Sequence, residues 1–164
     1  MSSSLQMWSI ICYGNILRSQ VLEQYLRAYC KNGLVFFSAG ISGKDEFPDK
    51  EALFSEIRQE MAKRNVACNL ERNFWSDEIA EKIISSDLVL CAGSGIKEEV
   101  LKRTGPELKP SKVFTFYGFI GEGEQDFEDT YDYEKGRQDP IRFRKAFDEL
   151  DRIAKKMLKI QVTE

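Results

Sequence analysis

Short, nearly continuous apolar runs alternate with amphipathic stretches along most of this chain. Four runs read as strands: Trp8–Cys12, Val35–Ser38, Asp87–Cys91 and Val113–Tyr117. They lack the in–out alternation of a sheet with one wet face, as parallel strands covered on both sides do. Between and after them, apolar residues recur at helical spacing over Ser19–Lys31, Asp49–Arg64, Ser76–Ser85, Ile96–Thr104 and Pro140–Ile160. In the last stretch Phe143, Phe147, Leu150, Ala154 and Met157 share one stripe, and Pro140 suits a first helical turn. This alternation predicts an α/β fold, a doubly wound four-stranded parallel sheet with helices on both faces. No repeat, linker or low-complexity stretch interrupts it, so residues 1–164 read as a single domain. Gly118–Lys135 is glycine-rich and acidic and reads as a long mobile loop, a class that often carries function.

The densest chemical signal lies where the first strand gives way to the first helix, at Cys12-Tyr13-Gly14-Asn15-Ile16-Leu17-Arg18-Ser19. A loop entering a helix N-terminus gathers unpaired backbone N–H groups and the positive end of a helix dipole, so it favours an anion. Arg18 adds a planar fork of donors that matches two phosphate oxygens. Cys12 stands where the same positive field favours a thiolate, the nucleophilic form. Gly14 permits close backbone approach, and Asn15 tolerates a left-handed backbone. An oxyanion cradle with a nucleophile in its floor is the layout of a phosphatase. In open α/β sheets such sites lie beyond the carboxyl ends of the strands, where Cys12 falls.

These residues resemble the signature of the low-molecular-weight protein tyrosine phosphatases, Cys-x-Gly-Asn-x-x-Arg-Ser. Ser38-Ala39-Gly40-Ile41-Ser42-Gly43 is similar to that family's stretch after its second strand, and Asp87-Leu88-Val89-Leu90-Cys91 to its third strand. Asp129-Thr130-Tyr131 takes the place of its Asp-Pro-aromatic acid loop, with threonine where proline is usual. The resemblance implies the flavodoxin-like fold of that family, with Cys12 as nucleophile, Arg18 as phosphate clamp and Asp129 as general acid. It also implies that Ser19 hydrogen-bonds the Cys12 sulfur and that the Asn15 side chain ties the loop to Ser42. Asp139-Pro140 is a literal Asp-Pro and competes with Asp129, but Asp139 also stands where the last helix needs an N-cap.

The phosphate of a substrate is then expected on the backbone N–H groups of Tyr13, Gly14, Asn15, Ile16, Leu17 and Arg18. Tyr13 and Tyr131, with Phe47 as a weaker candidate, would wall a slot deep enough for an aryl phosphate. The expected partners are a phosphotyrosine protein or another aryl phosphate, with inorganic phosphate released. Relatives acting on phosphoarginine carry a small polar residue where this chain has Ile16, so Ile16 favours phosphotyrosine. Three alternatives stay open: phosphoarginine phosphatase, arsenate reductase and non-catalytic phosphate-binding module. Gln20 suits the reductase, but that chemistry needs a cysteine relay, whereas Leu17 replaces the usual second cysteine of the loop and Cys68 and Cys91 are far apart in sequence. The module draws on the missing proline and on Ala92, where aspartate is usual. Leu17 also predicts that oxidised Cys12 lacks a local disulfide partner.

Composition narrows the field further. With 24 basic and 27 acidic side chains the net charge is -3, which argues against nucleic acid as the main partner. The chain has no histidine, so Ser-His-Asp and Cys-His nucleophiles and histidine metal sites are excluded. No metal or cofactor is expected, because backbone donors and Arg18 already neutralise the phosphate oxygens. The 4 cysteines show no zinc or disulfide spacing and are expected to be reduced. The N-terminus lacks a signal-peptide pattern and no run is long enough to span a membrane, so a cytoplasmic location is expected.

Overall fold

The first apolar run forms β1 (Met7–Cys12), buried throughout beyond Met7. It lies between two parallel neighbours, β2 (Val35–Gly40) and β3 (Leu88–Cys91), and β4 (Val113–Thr115) completes the order β2-β1-β3-β4. The computed structural model describes residues 6–43, 50–132 and 134–163. Its helices are α1 (Arg18–Tyr29), α2 (Lys50–Lys63), α3 (Asp77–Ile84), α4 (Ser94–Thr104), the short α5 (Phe116–Phe119) and α6 (Pro140–Thr163). Together they make a single α/β domain. The predicted helix start at Asp49 and the candidate Phe47 lie outside the described residues.

Alternate residues of β1 face two separate cores, as the two-residue period of a strand requires. Trp8, Ile10 and Cys12 join α1, α2, α5 and α6 on one face. Ile11 joins Val89, Cys91, Ile83 of α3 and Val100 of α4 on the other. Both faces are therefore dry, which is why the strands read as unbroken apolar runs. From β1 the chain moves outward to β2 and then returns to β3 on the opposite side. The connections after β1 and β3 thus diverge, and a crevice opens at the carboxyl ends of those strands.

Three sequence expectations change. The fourth strand stops at Thr115 instead of Tyr117, because the Thr115 hydroxyl accepts the Gly118 N–H at 2.9 Å and caps α5. Helix α4 begins at Ser94, earlier than Ile96, because Asp126 reaches across to accept the Ser94 N–H at 2.8 Å. Gly93-Ser94-Gly95 reads as a break until that distant carboxylate is in place. The acidic stretch 118–135 is also less loop-like than expected. Its first residues belong to α5, and β5 (Tyr131–Asp132) pairs antiparallel with β6 (Arg137–Gln138). Between them, Phe127 N–H bonds the Ala92 carbonyl at 2.7 Å, and the Thr130 carbonyl accepts the Asp139 N–H at 2.9 Å.

Gly40, the last residue of β2, packs directly on the loop that follows β1. A Cβ there would lie 2.7 Å from the Tyr13 carbonyl oxygen and 2.9 Å from the Asn15 nitrogen. Both neighbours are backbone and cannot swing aside. Gly40→Ala is therefore expected to destabilise the fold by about 1–3 kcal/mol, read as a lowered urea midpoint. An unchanged midpoint would mean that the two segments are not in close contact.

Candidate active site

The loop after β1 curls because Asn15 takes a left-handed backbone, φ 54°, a conformation that asparagine tolerates better than most residues. Its carbonyls turn outward, each to a partner. The Tyr13 carbonyl accepts the Ser42 N–H at 2.9 Å, the Gly14 carbonyl accepts Arg72 Nε at 2.8 Å and the Asn15 carbonyl accepts Gln20 Nε2 at 3.1 Å. A trans peptide points its N–H opposite to its C=O, so the N–H groups of Gly14, Asn15 and Ile16 turn inward. The Asn15 N–H ends 3.2 Å from the Cys12 sulfur, as that orientation demands. Helix α1 follows with no side-chain cap and no acid in its first turn, so its positive end is left open toward the loop.

Behind the loop runs a buried polar chain. Ser19 Oγ lies 3.0 Å from the Cys12 sulfur, and Asn15 Nδ2 donates to Ser19 Oγ at 2.8 Å and to Ser38 Oγ at 2.9 Å. The Ser38 hydroxyl donates to Glu23 at 2.6 Å, and Glu23 accepts Arg27 Nε at 2.8 Å. Asn15 Oδ1 is met by the Asn73 N–H at 2.7 Å. The expected side-chain tie from Asn15 to Ser42 is thus corrected: the partner is Ser38. Asn15 points its amide into the sheet, whereas Ser42 lies beyond the end of β2. Ser42 still supports the loop, through its N–H to Tyr13 and by accepting Arg72 at 3.0 Å.

Cys12, Tyr13, Gly14, Ile16, Leu17 and Arg18 line a narrow cavity, which Asp129, Thr130 and Tyr131 close from the far side. Cys12 is buried, while Arg18 and Tyr13 are half-buried. The Arg18 guanidinium bridges the two sides: it donates to the Phe127 carbonyl at 3.2 Å and lies 3.9 Å from the Asp129 carboxylate. Asp139 does not line the cavity. Its carboxylate caps α6 by accepting the Ile141 and Arg142 N–H groups at 3.1 Å each. Those backbone hydrogen bonds hold it below the usual carboxylate range, the wrong direction for a proton donor.

Several residues escaped the sequence reading. Arg72 and Asn73 come from an irregular segment between α2 and α3 that follows the open edge of β2. No local pattern marks them, although the Arg72–Phe74 stacking, 4.6 Å to the ring centroid, hints at a fixed guanidinium. Leu53 of α2 and Gln138 of β6 also line the cavity. Gln20 is buried and bonds the Asn15 and Glu71 carbonyls, a supporting role in this chain. Cys91 lies in the core on the opposite face of the sheet from Cys12, and burial pushes its thiol up. Among the described residues no His/Cys/Asp/Glu cluster of metal-binding kind occurs, and no helix is long and apolar enough to cross a membrane.

Comparison with known folds agrees with this architecture. An arginine phosphatase, YwlE from Geobacillus stearothermophilus, superposes with a TM-score of 0.74 at 21% identity, over 96% of this chain and 94% of its own. The low molecular weight protein tyrosine phosphatase from T. tengcongensis gives 0.73 at 23%, over 94% and 98%. Vibrio vulnificus Wzb, solved in complex with benzylphosphonate, gives 0.67 at 24%, over 95% and 99%. Comparison with curated proteins gave no significant match. The family model described as low molecular weight phosphotyrosine protein phosphatase matches residues 9–164. With nearly its whole length covered, this chain belongs to the low molecular weight phosphotyrosine protein phosphatase family.

Proposed function

We propose that the protein hydrolyses phosphate monoesters of the phosphotyrosine type through a phosphocysteine at Cys12. The observation that carries this reading is the convergence of Cys12, Arg18 and Asp129 on one cavity, from segments more than a hundred residues apart. The inward N–H groups and the Arg18 fork bind the phosphate oxygens and stabilise the charge they gain as the bond to the leaving group breaks. The Cys12 thiolate attacks phosphorus in line, the P–O bond breaks and Asp129 gives its proton to the departing oxygen. Asp129, now ionised, takes a proton from water as that water attacks phosphorus. The S–P bond then breaks and inorganic phosphate leaves. Ser19, 3.0 Å from the sulfur, supports the returning thiolate by donating to it.

Substrate preference follows from the wall. Ile16, Leu17 and Leu53 line the cavity together with Tyr13 and Tyr131. That apolar and aromatic surface suits an aryl ring. The likeness to YwlE makes phosphoarginine the comparison to run. The four cysteines are free thiols, which fits a reducing, cytoplasmic setting.

Hydrolysis of para-nitrophenyl phosphate and of the two phosphoamino acids tests the reading. Activity is expected to persist with a chelator and to vanish in Cys12→Ser. Asp129→Asn is expected to lower kcat on phosphotyrosine, whose phenolate leaving group needs the proton, about 100- to 10,000-fold. Arg18→Lys is expected to lower kcat about 100- to 1,000-fold. Asp139→Asn should leave kcat within about two-fold. Loss in Asp139→Asn alone would transfer the acid role to that residue. An inactive parent that binds phosphopeptide equally well as Cys12→Ala would instead support a binding module.

A redox consequence is also expected. Leu17 is a buried apolar residue of the cavity wall, and Cys91 is separated from Cys12 by the sheet. Peroxide should therefore carry Cys12 past sulfenic acid, with dithiothreitol restoring less activity as exposure lengthens. Complete recovery after prolonged exposure would count against it.

A further inference from the structure

The segment carrying Asp129 has no regular structure between α5 and β5, so something other than a helix or strand must aim the carboxylate. One end is fastened to the β3–α4 connection. Phe127 N–H bonds Ala92, the Phe127 carbonyl accepts Arg18, and Asp126 caps α4 at Ser94. At the other end, Asp129 Oδ1 accepts the Tyr131 N–H at 3.0 Å, closing a tight turn across Thr130. Thr130 is therefore the pivot of the turn that directs Asp129 toward Arg18 and the cavity.

Thr130 is only 2% exposed and Gln138 only 6%. Polar side chains at such depth are costly unless paired, and these two are paired with each other: the Thr130 hydroxyl donates to Gln138 Oε1. The main chain repeats the tie, through the Asp139 N–H to the Thr130 carbonyl at 2.9 Å. Gln138 and Asp139 immediately precede α6, which packs along α1. The pivot is thus anchored to the start of a long helix whose apolar stripe is buried in the core. Both residues also belong to the wall of the cavity that Asp129 lines.

The geometry points to Thr130 and Gln138 as positioning residues for proton transfer: their buried hydrogen bond sets the direction of the Asp129 carboxyl. This rests on the assignment of Asp129 as the general acid. A residue that only aims the acid should matter where the leaving group needs a proton and little where it does not. Para-nitrophenolate leaves readily without protonation, whereas phenolate does not.

The test is the ratio of kcat/KM for para-nitrophenyl phosphate to kcat/KM for phenyl phosphate, in the parent, Asp129→Asn, Thr130→Val, Thr130→Ser and Gln138→Leu. That ratio reports the leaving-group step and not the later hydrolysis of phosphocysteine common to both. Asp129→Asn is expected to raise the ratio most. Thr130→Val and Gln138→Leu should each raise it about ten-fold or more, with KM for either ester within about two-fold of the parent. Thr130→Ser keeps the hydroxyl and should restore the parent ratio. A raised ratio in Asp129→Asn with parent ratios in Thr130→Val and Gln138→Leu would overturn this proposal while leaving the acid assignment standing. Lowered thermal stability in those two variants at an unchanged ratio would have the same meaning. An unchanged ratio in Asp129→Asn itself would overturn the acid assignment, and the positioning role with it.

Discussion

Turning the N–H groups of a loop toward one point forces its carbonyls outward, and each buried carbonyl then needs a donor from elsewhere. Residues 13–15 meet that constraint with three donors from three places: the backbone of Ser42, the guanidinium of Arg72 and the amide of Gln20. Each such hydrogen bond contributes about 0.5–1.5 kcal/mol when made, and its loss leaves an orphaned group that costs about 1–3 kcal/mol. The cradle is consequently not a property of the loop alone. It exists because the turn after β2, the 71–73 segment and α1 hold its outer surface.

Asn15 concentrates this dependence. Its left-handed backbone makes the curl, and its side chain ties Ser19, Ser38 and the Asn73 N–H into one buried network. The network ends at the Cys12 sulfur on one side and at the Glu23–Arg27 pair on the other. A fully satisfied buried network is rigid, since any rotation of one member leaves another unpaired. That rigidity holds the inward N–H groups of the loop in place, so a ligand that meets them finds them already oriented.

Arg18 joins this rigid half to the half that carries Asp129, by its hydrogen bond to the Phe127 carbonyl and its approach to the carboxylate. The two halves come from opposite ends of the chain. Their meeting is fixed by the packing of α6 against α1, since α1 begins at Arg18 and α6 begins beside Gln138 and Asp139. Helix packing in the core thus sets a distance across the cavity.

Local pattern determined much of this. Strands and helices were legible because burial on one or both faces writes its period into the sequence, and the Cys12–Ser19 loop because its chemistry is contiguous. Ser76 announced its helix by capping it locally, accepting the Ile79 N–H at 3.1 Å. Tertiary structure alone decided what depends on residues distant in the chain. Ser94 starts a helix only because Asp126 arrives to cap it, Thr115 ends a strand that the apolar run would have continued, and Asn15 selects Ser38 over Ser42. Arg72, Asn73, Leu53 and Gln138 enter the site from segments whose own pattern says nothing about it. A period records which face of an element is buried, whereas a hydrogen bond across the fold depends on where two elements finally pack, and no short stretch of sequence contains both.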